Sequence, residues 1–286
     1  MKVNIWQSGS ARASETEYSG NPAKRFKIFL SASFLITWTC WGILVPLARA
    51  RTLTYGRPGF MFLYMLGGLG PTLSAYIAVL ATPLQSPLKE FHARLFRWRV
   101  SAGWYVVALL LPVALALASV AVAILVQPDF PKGLSVRPWY MLIPLFFMMV
   151  AGGGLEEHGW RGVAQPELER KLNRPAAALL VGLIWACWHL PLFFLPGVGQ
   201  YGTDFPLFAI GVVGGALILA WLYGRTESIL LCILFHAGWN TVAAFGLAIP
   251  SDRSLPAVLN VCLRVIVGVL LLTFGSAMYK KRRERA

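Results

Sequence analysis

The stretch Trp139-Tyr-Met-Leu-Ile-Pro-Leu-Phe-Phe-Met-Met-Val-Ala-Gly-Gly-Gly-Leu-Glu-Glu-His-Gly-Trp-Arg-Gly162 decides the fold. From Trp139 to Leu155 it is as apolar as lipid; then Glu156, Glu157, His158 and Arg161 follow at once. An ionisable side chain at membrane depth costs at least about 2.5 kcal/mol, so it is usually paired, turned inward and functional. On a helix Glu157 and Arg161 are i,i+4 neighbours and can pair. Glu156 points about 100° away at 3.6 residues per turn, free for other work. Two later apolar segments offer it partners: His189 in Trp185-Ala-Cys-Trp-His189, and His236 with Asn240 in His236-Ala-Gly-Trp-Asn240.

The rest of the chain agrees with a membrane setting. Of 286 residues, 57% are hydrophobic and 13% charged, which is not the composition of a soluble domain. Runs of about 20 apolar residues predict an all-α, polytopic transmembrane helical bundle. We read about eight spans, near 28–48, 59–82, 102–126, 139–163, 176–195, 205–223, 227–249 and 256–278. They are flanked by a polar tail (1–27) with the composition of a disordered segment and a basic tail (279–286). No cleavable signal peptide is evident. The net charge of +14 does not point to nucleic acid, because the basic residues lie in short clusters between apolar spans. Such clusters suit orientation signals and anionic lipid headgroups. With the N-terminus placed in the cytoplasm, 19 of the 26 Lys and Arg fall on the inner side. This predicts an even number of spans and two cytoplasmic tails.

Within the loops, Leu88, Phe91, Leu95 and Trp98 recur at helical spacing among Lys89, Arg94, Arg97 and Arg99, which predicts a basic amphipathic helix on the inner membrane surface. His92 there reads as a surface histidine. Gly67, Gly68, Gly70, Gly211 and Gly215 read as points of close helix approach. Cys40, Cys187, Cys232 and Cys262 lack CxxC spacing and read as buried small hydrophobes. Asp204 and Glu227 read as helix-end residues, and Arg264 as a residue that snorkels or pairs with an acid. There is no internal repeat, P-loop or dinucleotide fingerprint, which argues against an inverted-repeat transporter.

Depth can be estimated from the number of residues to the nearest inner basic cluster at about 1.5 Å per residue. Glu156 lies about 21 Å from Arg170, His189 about 22 Å from Arg174, and His236 and Asn240 about 16 and 22 Å from Arg225. Polar groups on three helices thus sit at similar depth, which predicts a water-filled cavity. Each group also has a plainer reading. His189, before Leu190-Pro191, could satisfy backbone freed by the proline. His236 and Asn240 could be interhelical polar glue, and Glu157 with Arg161 a structural pair.

Glu156-Glu157-xxx-Arg161, His189 and His236-xxx-Asn240, in this order and each in an apolar segment, resemble the EExxxR, FxxxH and HxxxN pattern of the CPBP intramembrane proteases. That family includes CAAX-processing enzymes and bacterial Abi proteins. Trp185 stands where the pattern has Phe, and His158 fills a position that the pattern leaves open. The resemblance implies an integral, multi-pass membrane endopeptidase, in the plasma (cytoplasmic) membrane if the source is bacterial, that acts on a membrane-associated protein or peptide. Lipidated CAAX proteins and bacteriocin-like peptides are the substrate classes it suggests. No Ser or Cys is placed with His and Asp for a covalent triad. Glu156 is therefore the expected general base, with His189 holding the water. His236 and Asn240 are the expected oxyanion donors, and Glu157 with Arg161 fixes the motif. Metal-assisted hydrolysis stays equally open, with Glu156, His189 and His236 as ligands to a divalent ion such as zinc; HExxH is absent. A proton-coupled transporter and a non-enzymatic scaffold are the rival classes; a scaffold should have lost a catalytic residue, and none is missing.

Overall fold

The computed structural model describes residues 22–82, 87–129, 136–247 and 255–283. The expected polar tail falls, up to residue 21, outside these residues, as do 284–286 of the basic tail. Ten helices of eight or more residues are described. They are α1 (Pro22–Arg49), α2 (Pro58–Gly68), α3 (Gly70–Leu80), α4 (Pro87–Leu95), α5 (Ala102–Val126), α6 (Leu142–Ala151), α7 (Arg174–Trp188), α8 (Phe205–Thr226), α9 (Ile229–Val242) and α10 (Leu255–Arg283). No strand occurs among the described residues. Residues 22–27 and 279–283, read from sequence as tails, are helical ends of α1 and α10.

Seven stretches are long and apolar enough to cross a membrane, or eight if α2 and α3, bent by 44° at Leu69, make one span. The chain is therefore an integral membrane protein of the all-α class. The lipid-type surface is visible in side-chain exposure: Leu35, Leu125 and Phe147 are 70, 83 and 70% exposed, whereas Trp160 and Trp188 are fully buried. Membrane bundles invert nothing in the interior, but their outer face is apolar because lipid gives no reason to hide it.

Helix ends are chemically marked. Asn173, Asp204 and Ser228 accept backbone N–H groups of Ala176, Leu207 and Leu231 at 3.0, 2.9 and 3.2 Å, capping α7, α8 and α9. Asp204 thus has the capping role expected of it. Glu227 sits just past α8 in the left-handed region (φ 51°) and pairs with Arg97 at 2.5 Å. In the interior α8 packs between α7 and α10, α1 lies against α2 and α3, and α9 against α5 and α6. A side chain at Gly70 would collide with Thr37 Oγ1, so α1 and α3 touch backbone to side chain there. Trp188 Nε1 donates to that same Thr37 hydroxyl at 2.9 Å, which in turn donates to the Gly67 carbonyl at 2.7 Å. These links tie α1, α2 and α7 across the bundle.

Several local expectations change. The amphipathic helix ends at Leu95: Phe91 and Leu95 are buried, while Trp98 lies beyond the helix and is exposed. His92 is half-buried with its Nε2 3.3 Å from Tyr76 Oη, rather than a plain surface residue. Cys40 and Cys232 are buried, but Cys187 and Cys262 face outward, where lipid, not core, accepts a small apolar thiol; all four are free.

Candidate active site

The apolar run does not continue as a straight helix through the acidic motif. After α6, residues Gly154–Glu156 form a 3-10 turn, Glu157–Gly159 one α turn, Trp160–Ala164 a π turn and Gln165–Glu169 a last short helix starting near Pro166. Such breaks free backbone groups, which at membrane depth need new partners. The Leu155 carbonyl has two: Thr72 Oγ1 at 2.7 Å and His158 Nδ1 at 2.8 Å. This is the work of His158. Its ring packs near Tyr76 and Phe91, and it is absent from the wall of the cavity described next.

A cavity of about 180 Å³ opens inside the bundle, and Glu156, His189, His236 and Asn240 all line it. All four expected chemical groups therefore meet, brought together from the motif, the end of α7 and one face of α9. Gly153 explains how closely they meet. A β-carbon there would collide with Asn240 Nδ2 and stand 3.2 Å from His236 Nε2. The motif backbone passes directly beside the two side chains of α9, and a larger residue here would have to displace them.

The glutamates take different directions, as the helical wheel suggests, and end with different partners. Glu157 and Arg161 are wholly buried and paired at 3.0 Å. Arg161 also donates to the Ala216 carbonyl at 3.3 Å and lies 5.1 Å above the Trp185 ring. The same Glu157 carboxylate receives His236 Nδ1 at 2.8 Å. Glu157 is thus more than a clamp for the motif: it orients an imidazole of the site. Glu156 is held by indoles instead. Its Oε2 accepts from Trp185 Nε1 at 2.7 Å and from Trp160 Nε1 at 3.4 Å, while Oε1 accepts no hydrogen bond from a described residue. From sequence, Trp185 reads as a small change of packing; in the structure it is the closest donor to Glu156.

These bonds fix both histidine tautomers. His189 follows the last residue of α7, and its backbone N–H turns to the Ala186 carbonyl at 3.1 Å. The Trp185 carbonyl, so released, receives His189 Nδ1 at 2.8 Å. A carbonyl only accepts, so Nδ1 carries the proton and Nε2 of the neutral ring has the lone pair. The plainer reading of His189, a satisfier of backbone, and the chemical one are therefore both met by one ring. The same logic applies to His236, whose Nδ1 donates to Glu157. Neutral His236 can only accept through Nε2. Donation to an oxyanion, as expected from sequence, requires the imidazolium, with Glu157 as counter-charge.

A divalent metal would find suitable donor types here, since an imidazole with Nδ1 bonded to carboxylate or carbonyl presents Nε2 as a ligand. Among the described residues no three His, Cys, Asp or Glu side chains form a group that could hold a metal ion.

Two more residues of α10 line the cavity wall: Asn260, on which the sequence carries no reading, and Arg264, to which it assigns no chemistry. Single polar residues in a late apolar span carry no motif. Only the packing of α10 on α8 turns them inward.

A polytopic helical bundle with a carboxylate, two imidazoles and an amide around an internal cavity supplies groups that hydrolysis inside a membrane can use. The description "Type II CAAX prenyl endopeptidase Rce1-like" matches residues 138–242, the part of the chain from α6 to α9 that carries all four groups. The chain is also similar to a protein of Methanococcus maripaludis described as CAAX prenyl protease 2, with 27% identity over 238 residues, 77% of this chain and 83% of that relative. These similarities support an intramembrane protease of the CPBP family.

Proposed function

We propose that this protease cuts prenylated, CAAX-type proteins or peptides near their C-terminus, using water activated by Glu156. The observation that carries the reading is the state of Glu156: one oxygen anchored by two indoles, the other unengaged among the described residues, in a cavity shared with His189, His236 and Asn240. The substrate class is supported by the description of the similar archaeal protein.

The water donates one hydrogen bond to Glu156 Oε1 and one to the His189 Nε2 lone pair. Its oxygen attacks the scissile carbonyl while one proton passes to Glu156. The developing oxyanion receives Asn240 Nδ2–H and, from the imidazolium, His236 Nε2–H. Collapse of the tetrahedral intermediate breaks the C–N bond, and the proton on Glu156 goes to the leaving nitrogen. Glu157 and Arg161 stay behind the site, keeping His236 aimed. These steps use the chain's own groups alone.

The test is cleavage in proteoliposomes of a prenylated peptide and its unprenylated analogue, with fragments identified by mass spectrometry. Release of the C-terminal fragment from the prenylated peptide, lost by about 10³-fold or more in Glu156→Gln, is the expected result, since a base used only in the transition state costs kcat when removed. Full activity of Glu156→Gln would remove the base, and no cleavage of either peptide would remove the substrate class.

A further inference from the structure

Arg264 lies nine residues into α10, within an apolar span, where a cation is costly. From sequence it is expected to snorkel or to pair with an acid. It does neither: its side chain lines the internal cavity, and among the described residues no carboxylate pairs with it. Its Nε donates to Asn260 Oδ1 at 3.2 Å, and its guanidinium carbon lies 4.3 Å from the centroid of the Trp239 ring. Both partners are neutral. They place the guanidinium and leave its charge unbalanced.

Asn260 is oriented by the same contact. An arginine Nε–H only donates, so the atom facing it is the amide oxygen. The Ser119 hydroxyl also lies 2.7 Å from that oxygen. The amide nitrogen of Asn260, with two donors, is turned away from both. A guanidinium with its terminal nitrogens unspent and an adjacent amide N–H2 are two donor groups on one wall of the cavity. Planar, two-pronged donors of this kind suit a carboxylate.

The wall also connects to the chemistry. Trp239, which carries Arg264 on its face, is the neighbour in sequence of Asn240, and Glu156 lines the same cavity. We propose that Arg264 and Asn260 hold the C-terminal carboxylate of the substrate, so that the cut falls a fixed distance from the chain end. This rests on the C-terminal cleavage proposed above. Three extended residues span about 10 Å, so one anchored chain end specifies one peptide bond.

The experiment compares two prenylated peptides that differ only at the C-terminus, a free acid and a carboxamide. Binding is measured by fluorescence anisotropy to reconstituted Glu156→Gln protein, which holds the peptide without cutting it, and cleavage is measured with the wild-type base. The acid is expected to bind about 10- to 100-fold tighter than the amide, the range for a charge-assisted hydrogen-bonded pair. The same ratio is expected in kcat/KM. Adding Arg264→Gln should bring the acid down to the level of the amide and leave the amide unchanged; Arg264→Lys, with charge but one prong, should restore part of the preference. A merely structural arginine would weaken both peptides alike. Equal binding of acid and amide to the Glu156→Gln protein overturns the carboxylate site while leaving the protease reading intact, and needs no change at Arg264. An acid preference that survives Arg264→Gln overturns the assignment to Arg264. A wild-type base that cuts neither peptide, beside tight acid-selective binding, overturns the cleavage reading and keeps the anion site.

Discussion

Trp185→Phe isolates the hydrogen bond that sets the Glu156 carboxylate, the base proposed above. The phenyl ring keeps an aromatic surface for Arg161 and for His236, whose ring meets Trp185 edge to face at 5.2 Å, but it removes the N–H that Glu156 Oε2 accepts at 2.7 Å. A hydrogen bond to a charged group contributes about 1.5–3 kcal/mol, which is roughly 10- to 150-fold in rate if all of it serves to place the carboxylate. Two effects reduce this. Trp160 Nε1, at 3.4 Å, can tighten on the oxygen left behind. A carboxylate relieved of a donor is also a stronger base, which raises the rate it can support. The expected net result is a fall of about 10-fold in single-turnover kcat, with KM little changed, and a larger fall in Trp160→Phe/Trp185→Phe than the product of the single changes, because each indole covers for the other. The assay is single-turnover cleavage in proteoliposomes beside thermal unfolding of the same preparations. Unchanged or higher kcat in a well-folded Trp185→Phe protein would refute positioning by the indole, and an increase would mean that the indole restrains the base.

Glu157→Gln should cost about 3–5 kcal/mol of stability, because it leaves the wholly buried Arg161 charge without its partner; thermal unfolding near that of wild type would contradict the clamp. His236→Ala and Asn240→Ala should each lower kcat by about 10²–10³ with little effect on KM, and the double change by less than the product. Metal content measured on the same proteins decides the other chemistry: stoichiometric zinc lost only with His236→Ala would move the mechanism to a metal. Finally, both tails should face the cytoplasm. Single cysteines at Ser10 and Arg285, in a protein with its four native cysteines replaced, should resist an impermeant thiol reagent in intact cells; labelling of either would break the orientation.

The sequence carries the site in its spacing. Glu156, His189, His236 and Asn240 are ionisable or polar in spans that tolerate few such residues, so each stands out, and equal depths argued that they meet. Their partners were less legible. Which glutamate holds His236 depends on how the motif turns, and a straight helix gave Glu156 that histidine. The 3-10 and π turns after Gly154 hand it to Glu157 instead. The two indoles were invisible for another reason. Tryptophan is ordinary in an apolar span, and nothing in Trp160 or Trp185 tells a packing ring from a donor until the carboxylate beside it is located. The fold class was plain from the apolar runs; the break between α2 and α3 was not, because Gly68-Leu-Gly70-Pro71 also suits a continuous, closely packed helix.

The break in the motif ties the two glutamates to opposite duties through a single peptide unit. Glu156 and Glu157 are chemically interchangeable, so the chain distinguishes the proposed base from the clamp by counting alone. Removing one residue between Gly153 and Glu156 would place Glu157 where Glu156 stands and His158 where Glu157 stands, while Arg161, shifted with them, would leave its own place to Gly162. A change of length in this short stretch is therefore an exchange of identities, and the motif is a place where substitutions are graded but insertions and deletions are all-or-none.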